Sequence, residues 1–293
     1  MHDSHIHLAL EPLKSNVDSI IEEFINSGGK YILSQGTDIK DFEDTLKISE
    51  KYPNIVHVAL GLHPTFFEEE SICKGEYKDI TRRSLKYIEE FEDIFKKNIS
   101  KITSVGETGL DYYQLSLEKN ISEDVVEEII DIQKRSFVRH LEIAKANKLP
   151  LSIHARDQRD KNSCVLDTIQ LIAQQGKGLL RGSFHSYTGD IKFVNDILDL
   201  GFHIGFNAII TYNSGEDVRE ILKATPLERI LFETDGPFLP PQSIRKNKKI
   251  KEKFAKPSHV REIMQVAAEV KGVSIEDMEK ISDQNYQNLF LNS

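Results

Sequence analysis

DSHIHL, residues 3–8, is the stretch on which the fold turns. In an extended chain successive side chains point to opposite faces, so Asp3, His5 and His7 face one way while Ile6 and Leu8 face the other. Two imidazoles whose Cα atoms lie about 7 Å apart on one face of a strand can converge on a single cation. A carboxylate two residues before such a pair often orients a ligating imidazole, and Asp3 is expected in that role.

Working outward from this first strand, placed at 2–8, further short apolar, β-branched runs follow at 30–36, 55–63, 102–107, 149–154, 179–185, 202–207 and 230–235. Stretches of helical period lie between them at 17–27, 39–50, 81–97, 122–147, 161–175, 190–200 and 215–223, and another follows the last strand at 257–271. Such alternation is expected of repeated βα units around a parallel sheet. An open doubly wound sheet alternates in the same way, so the polar residues must decide closure. His5, His7, His63, Glu107, His154, His185 and Asp235 fall at or near the C-terminal ends of six proposed strands. In a barrel those ends meet at one mouth, whereas an open sheet spreads them along an edge. The expected fold is therefore α/β, a (β/α)8 TIM barrel of the amidohydrolase-like kind, with residues 1–293 forming one domain. Such a barrel typically needs roughly 250 residues.

The bulk composition sets limits. The 293 residues are 39% hydrophobic and 29% charged, as in ordinary globular proteins. No apolar run approaches the ~20 residues that span a bilayer, so no membrane partner is expected. A net charge of -9 and a pI of about 5.6 argue against a protein that coats nucleic acid through a generally basic surface. Cys73 and Cys164 are too few for a disulfide framework. With functional residues from Asp3 onward leaving no room for a cleavable leader, the expected location is cytoplasmic, a nuclear share remaining open.

Two loops are expected on the mouth side. Residues 66–80, with Glu68, Glu69 and Glu70, read as an excursion after the third strand. Residues 236–256 pass Gly236, Pro237, Pro240 and Pro241, then Arg245, Lys246, Lys248, Lys249, Lys251 and Lys253. This second run reads either as a solvated loop or as a surface that meets phosphate.

The chemistry is carried by four further stretches. VGETGLD at 105–111 flanks Glu107 with small residues, and the two oxygens of Glu107 can bridge two metals. SIHAR at 152–156 puts His154 and Arg156 on one face, FHSY at 184–187 places His185 at the mouth, and FETDGP at 232–237 does the same for Asp235. Glu233 shares a face with Asp235 and needs a cation, for which Arg156 is a candidate. His2, His57, His140, His203 and His259 receive no role. A lone histidine at a strand end is more often structural, and a lone Asp before Gly-Pro is usually a turn residue. Ligand-type side chains meeting from so many strands are another matter, because charge crowded at one mouth requires a compensating ion or partner.

Together these residues resemble the TatD family of metal-dependent deoxyribonucleases, along nearly the whole chain and in order. DSHIHL at 3–8 is similar to the family's opening motif, GLHP at 61–64 to the next, and VGETGLDYY at 105–113 to the most distinctive. Gln133 and Phe137, with the following strand to Arg156 and Asp157, resemble its helix-to-strand segment, FHSYTG at 184–189 its sixth-strand motif, and ETDGPFL at 233–239 its last. Ser186 and Tyr187 depart from a common Cys-Phe pair, and Ala255 and Lys256 from an Asn-Glu pair before Pro257.

The resemblance implies two divalent ions, Mg2+, Zn2+ or Mn2+, one held by His5, His7, Glu107 and Asp235 and the other by Glu107, His154 and His185. It also implies that His63 lies near the substrate phosphate. The expected activity is hydrolysis of phosphodiester or phosphate ester bonds of nucleic acid, as in a TatD-type deoxyribonuclease working from an end, with DNA single strands or ends as partner. Asp235, Glu107, His63 and Arg156 are the expected catalytic residues, Asp235 taking a proton from water and His63 or Arg156 steadying the phosphate or leaving oxygen. Two ions with Glu107 and Asp235 leave a site of roughly +2, which favours a phosphate over an uncharged amide. The alternatives are an acyl ester or amide hydrolase, such as an aminoacyl-tRNA deacylase, and a non-catalytic metal-binding barrel.

Overall fold

The computed structural model describes residues 1–72, 79–118, 121–158 and 161–292; Cys73 lies outside them. Eight parallel strands pair in chain order: β1 (His2–Ile6), β2 (Tyr31–Gly36), β3 (Val56–Leu60), β4 (Ser104–Asp111), β5 (Leu151–Arg156), β6 (Gly182–Phe184), β7 (Phe202–Phe206) and β8 (Ile230–Phe232). All eight lie where the apolar runs place them. Their β-branched and aromatic side chains alternate between two environments. Leu33, Ala59 and Leu231 point into one small apolar cluster, while Ile32, Val58 and Leu60 join the larger core beneath the helices.

The expected helices form as α1 (Val17–Asn26), α2 (Ile39–Lys51), α4 (Ile80–Asn98), α6 (Glu123–Asn147), α7 (Ser163–Gly176), α8 (Val194–Asp199), α9 (Glu216–Ala224) and α11 (Val260–Lys271). Four more were not anticipated: α3 (Thr65–Ile72), α5 (Tyr112–Leu117), α10 (Gln242–Lys246) and α12 (Ile275–Tyr286). The excursion expected at 66–80 is thus helical in its first part. Glu68 is buried and accepts from Gln133 Nε2 at 3.0 Å. The side chains of Glu69 and Glu70 lie outside the described residues, as do residues 73–78.

β8 does not ladder with β1, and the nearly closed barrel is completed just beyond β8. The Asp235 N–H donates to His5 O at 2.9 Å and the His7 N–H to Gly236 O at 2.8 Å. Asp3 reinforces that seam by accepting from both Thr234 N at 3.0 Å and Thr234 Oγ1 at 2.6 Å. At the opposite end α12 packs under β1 and β8, with Tyr286, Leu289 and Phe290 plugging the apolar interior. Among the described residues no helix is long and apolar enough to cross a membrane.

Candidate metal centre

Each ligand-type side chain stands at or near the end of its strand. His5 is in β1 and His7 just past it, His63 follows β3, Glu107 is in β4, His154 in β5, His185 follows β6 and Asp235 follows β8. Their polar ends meet in a cleft of about 850 Å³. Gly109 makes the approach of β4 to β5 possible: it pairs opposite His154 at φ +143°, and a Cβ there would overlap the His154 carbonyl oxygen. Asp235 is held at φ +56°, a conformation that costs a non-glycine residue about 1–3 kcal/mol. The seam bond to His5 and a bond from Phe238 N–H to Asp235 O at 2.9 Å secure it there.

Glu107 lies at the centre, its side chain only 2% exposed. Oε2 is 3.1 Å from His5 Nε2 and 3.7 Å from His7 Nε2, which is 3.4 Å from Asp235 Oδ1. Oε1 is 2.8 Å from His185 Nε2, 3.0 Å from His154 Nδ1 and 3.2 Å from His63 Nε2. One carboxylate therefore faces two separate sets of imidazole nitrogens. Three groups of potential ligands result, His5 with His7 and Asp235, His5 with Glu107 and His185, and His63 with Glu107 and His154, the atoms of each within 4.8 Å of one another.

Hydrogen-bond partners assign the tautomers. Asp111 Oδ2 is 2.8 Å from His154 Nε2, which puts the proton on Nε2 and leaves the Nδ1 lone pair aimed at Glu107. Thr65 N–H donates to His63 Nδ1 at 3.2 Å, so His63 carries its proton on Nε2 and presents a donor to the cleft. Ser152 Oγ is 3.1 Å from His5 Nδ1, and Glu233 Oε1 is 3.6 Å from His185 Nδ1. His154 Nδ1 and His185 Nε2 lie 3.3 Å apart, and among the described residues no Lys or Arg pairs with Glu107 or Asp235. Lone pairs pointed at a buried carboxylate repel it unless a cation intervenes.

The proton equilibria reflect the same demand. Burial disfavours charge on His154 and His185, yet Asp111 and Glu107 hold the first above the usual imidazole range, and Glu107 with Glu233 holds the second well above it. Burial would push Glu107 up, but His185, His63 and His5 hold it well below the ordinary carboxylate range. Protons thus gather where divalent charge would otherwise sit. Imidazole nitrogens and carboxylate oxygens in this number fit a borderline divalent cation.

The structure brings all seven of the expected mouth residues together, and corrects the surroundings. Asp3 does not orient an imidazole; it closes the barrel seam. Glu233 does not pair with Arg156, since it accepts from Ser186 N–H and stands beside His185. Arg156 is exposed on the cleft rim, its guanidinium 4.1 Å from the centre of the Tyr113 ring. Asp111 is a functional neighbour that its place in VGETGLD does not mark. Its Oδ1 caps α5 by accepting from Gln114 N–H at 2.7 Å while Oδ2 holds His154. Gln133 fixes it in turn, accepting from Asp111 N–H at 3.0 Å. His140, also given no role, accepts from Leu62 N–H at 3.0 Å and so positions the segment carrying His63.

The family model described as TatD related DNase matches residues 2–291. YabD of Bacillus subtilis, named as an uncharacterized metal-dependent hydrolase, is 26% identical over 99% of this chain and 98% of its own. YcfH of Escherichia coli, named likewise, is 27% identical over 98% of this chain and 94% of its own. The crystal structure of the TatD homologue YjjV from Escherichia coli superposes with a TM-score of 0.78 at 21% identity, covering 99% of this chain and 97% of that one. The chain belongs to the TatD-related DNase family of metal-dependent hydrolases.

Proposed function

We propose that the chain holds two divalent cations and hydrolyses phosphodiester bonds of DNA. The observation that carries this reading is Glu107, whose two oxygens face different imidazole sets, as a carboxylate shared between two ions requires. His5, His7 and Asp235 would hold one ion together with Glu107, and His154 and His185 with Glu107 the other. When bound, the two ions supply Lewis-acid stabilisation of the charge that develops on the transferring group.

The protein's own groups have distinct tasks. Asp235, its side chain 14% exposed against 2% for Glu107, is the more open of the two central carboxylates, and it accepts the proton of the attacking water. His63 presents its Nε2–H to the same space and steadies a non-bridging phosphate oxygen, while Arg156 meets the phosphate from the rim. Asp111 keeps the lone pair of His154 turned inward, and the Glu233 carboxylate stands 3.6 Å behind His185 Nδ1. The word DNase in the family description supports a nucleic-acid substrate.

Metal-stripped protein, re-supplied with Mg2+, Mn2+ or Zn2+, is assayed on end-labelled single-stranded DNA, an aminoacyl ester and a lactone, with bound metal counted by mass spectrometry. Two ions per chain and cleavage of the DNA alone are expected. Turnover confined to the acyl substrates would replace this reading with an acyl hydrolase.

A further inference from the structure

Charge balance leaves a gap that the metal cluster does not fill. Two divalent ions with Glu107 and Asp235 would leave roughly +2, but Asp111 and Glu233 stand in contact with the ligating histidines and bring the formal sum to about zero. On the β1 and β2 side of the rim, Lys14 is paired with Asp44 at 2.6 Å and Lys40 with Asp38 at 3.2 Å. Beyond Arg156 and His63 at the cleft itself, attraction for a polyanion must then come from elsewhere.

The segment after β8 carries it. Residues 245–253 hold six cations against one carboxylate, Glu252, a net +5 in a chain whose total is -9. Lys246, Lys248, Lys249 and Lys251 are exposed, and among the described residues none of them makes an ion pair. The loop is nevertheless anchored at the mouth. Ala255 N–H donates to Pro237 O at 3.0 Å, Tyr212 Oη–H to Pro240 O at 2.9 Å, and the Arg245 guanidinium lies 4.1 Å from the Tyr212 ring centre. Between this loop and the metal cluster stands Phe238. Its ring is 5.8 Å from that of His7 and packs edge-on against it, yet the residue is 52% exposed, in a chain that buries most of its phenylalanines. A basic track beside an uncovered aromatic ring is the arrangement that binds single strands, phosphates on the cations and a base on the ring.

We infer that Phe238 and the 245–253 loop form a binding surface for the single-stranded nucleic acid flanking the bond to be cut, Phe238 stacking the nearest base and Lys248, Lys249 and Lys251 following the backbone. This rests on the phosphodiester reading above but is tested without turnover. Fluorescence anisotropy in EDTA, from 50 to 200 mM salt, measures binding of labelled single-stranded DNA of two and twelve nucleotides. Replacing the three lysines together (K248Q, K249Q, K251Q) should weaken twelve-nucleotide binding about ten-fold and lower the log–log salt slope by about 2, at roughly 0.7 per lost phosphate contact. Dinucleotide binding, too short to reach the loop, should not change. F238A should weaken both lengths about ten-fold with no change of slope, because stacking releases no counterions. A triple variant with wild-type affinity and slope, or wild-type protein that prefers phosphatidylserine vesicles to the oligonucleotide at equal salt, overturns the inference. Phosphodiester turnover with loop-independent binding overturns it alone. Loop-dependent binding without phosphodiester turnover under any metal overturns the proposed function instead.

Discussion

The two ends of the barrel are built from the same residue types and behave oppositely. At the floor, His2 Nδ1 is 3.1 Å from Asp283 Oδ1 and its Nε2 accepts from Phe232 N–H at 3.2 Å. Lys30 reaches Asp283 Oδ2 at 2.9 Å, and His57 Nδ1 meets Tyr286 Oη at 2.9 Å. Each of these contacts is closed by protein groups. At the mouth, Asp111 turns the lone pair of His154 toward Glu107, and among the described residues the Nδ1 atoms of His7 and His185 have no hydrogen-bond partner. Burying polar groups is tolerable when they are satisfied and costly when they are not. The network around Asp283 is completed by protein groups, whereas the mouth is an arrangement that something else must complete.

The sharpest way to break this contrast is to remove the central mouth carboxylate. E107A should lower turnover on DNA at least about 1,000-fold, equivalent to roughly 4 kcal/mol of barrier, while the far-ultraviolet circular dichroism stays that of the folded barrel. Under the proposed two-ion reading, bound metal should fall to one ion or none. A variant that retains both ions would show the mouth to be satisfied without Glu107.

The floor should answer in a different currency. D283A deprives His2 and Lys30 of their shared acceptor and should cost about 3 kcal/mol of stability by urea unfolding, with kcat of the folded enzyme unaffected. Burial would push Asp283 up, but hydrogen bonds from His2 and Lys30 hold it far below the usual carboxylate range. Its contribution is therefore present above the unfolded-state carboxylate pKa and is lost as pH falls below it. Loss of activity at full stability would mean that the floor is coupled to the chemistry.

Between these extremes lies Asp111, which sets the His154 tautomer. D111N offers the same shape with a weaker acceptor and should reduce metal affinity 10- to 100-fold, measured by competition with a chromophoric chelator. An unchanged affinity would leave Asp111 with only its helix-capping bond to Gln114.

How legible these regions were in the sequence follows from how far apart their partners lie. The strands were readable because each is a short apolar run, and the mouth residues because they mark the ends of those runs in a barrel. Asp111 was invisible as a neighbour of His154 because only the register of β4 against β5 joins them. Asp3 was misjudged because the spacing of D-x-H-x-H cannot say that Thr234, far along the chain, takes the carboxylate first. The floor helix α12 did carry a local signal: Ser274 accepts from Asp277 N–H at 3.0 Å, the S-x-x-D start of a helix. α3 was masked by Glu68, Glu69 and Glu70, a charged run that reads as solvated although Glu68 is buried.

The smallest expected effect tests whether a satisfied histidine also supports the unsatisfied ones. His140 is buried against Phe91, donates from Nδ1 to Ser136 O at 2.7 Å and accepts from Leu62 N–H, one residue before His63. The bond accepted from Leu62 requires the neutral ring, and burial lowers its pKa to about 4 from 6.5. Between those values the unfolded chain takes up a proton that the folded one refuses, so the stability His140 contributes is full above pH 6.5 and drains away toward pH 4. H140L loses the buried acceptor for Leu62 N–H and should be about 2 kcal/mol less stable at pH 7. It also loses the titration, so its urea midpoint should fall less steeply on acidification, and the wild-type and variant curves should converge at about pH 5. Parallel curves from pH 7 to 4.5 would remove His140 from the acid response, leaving it as packing beside Phe91.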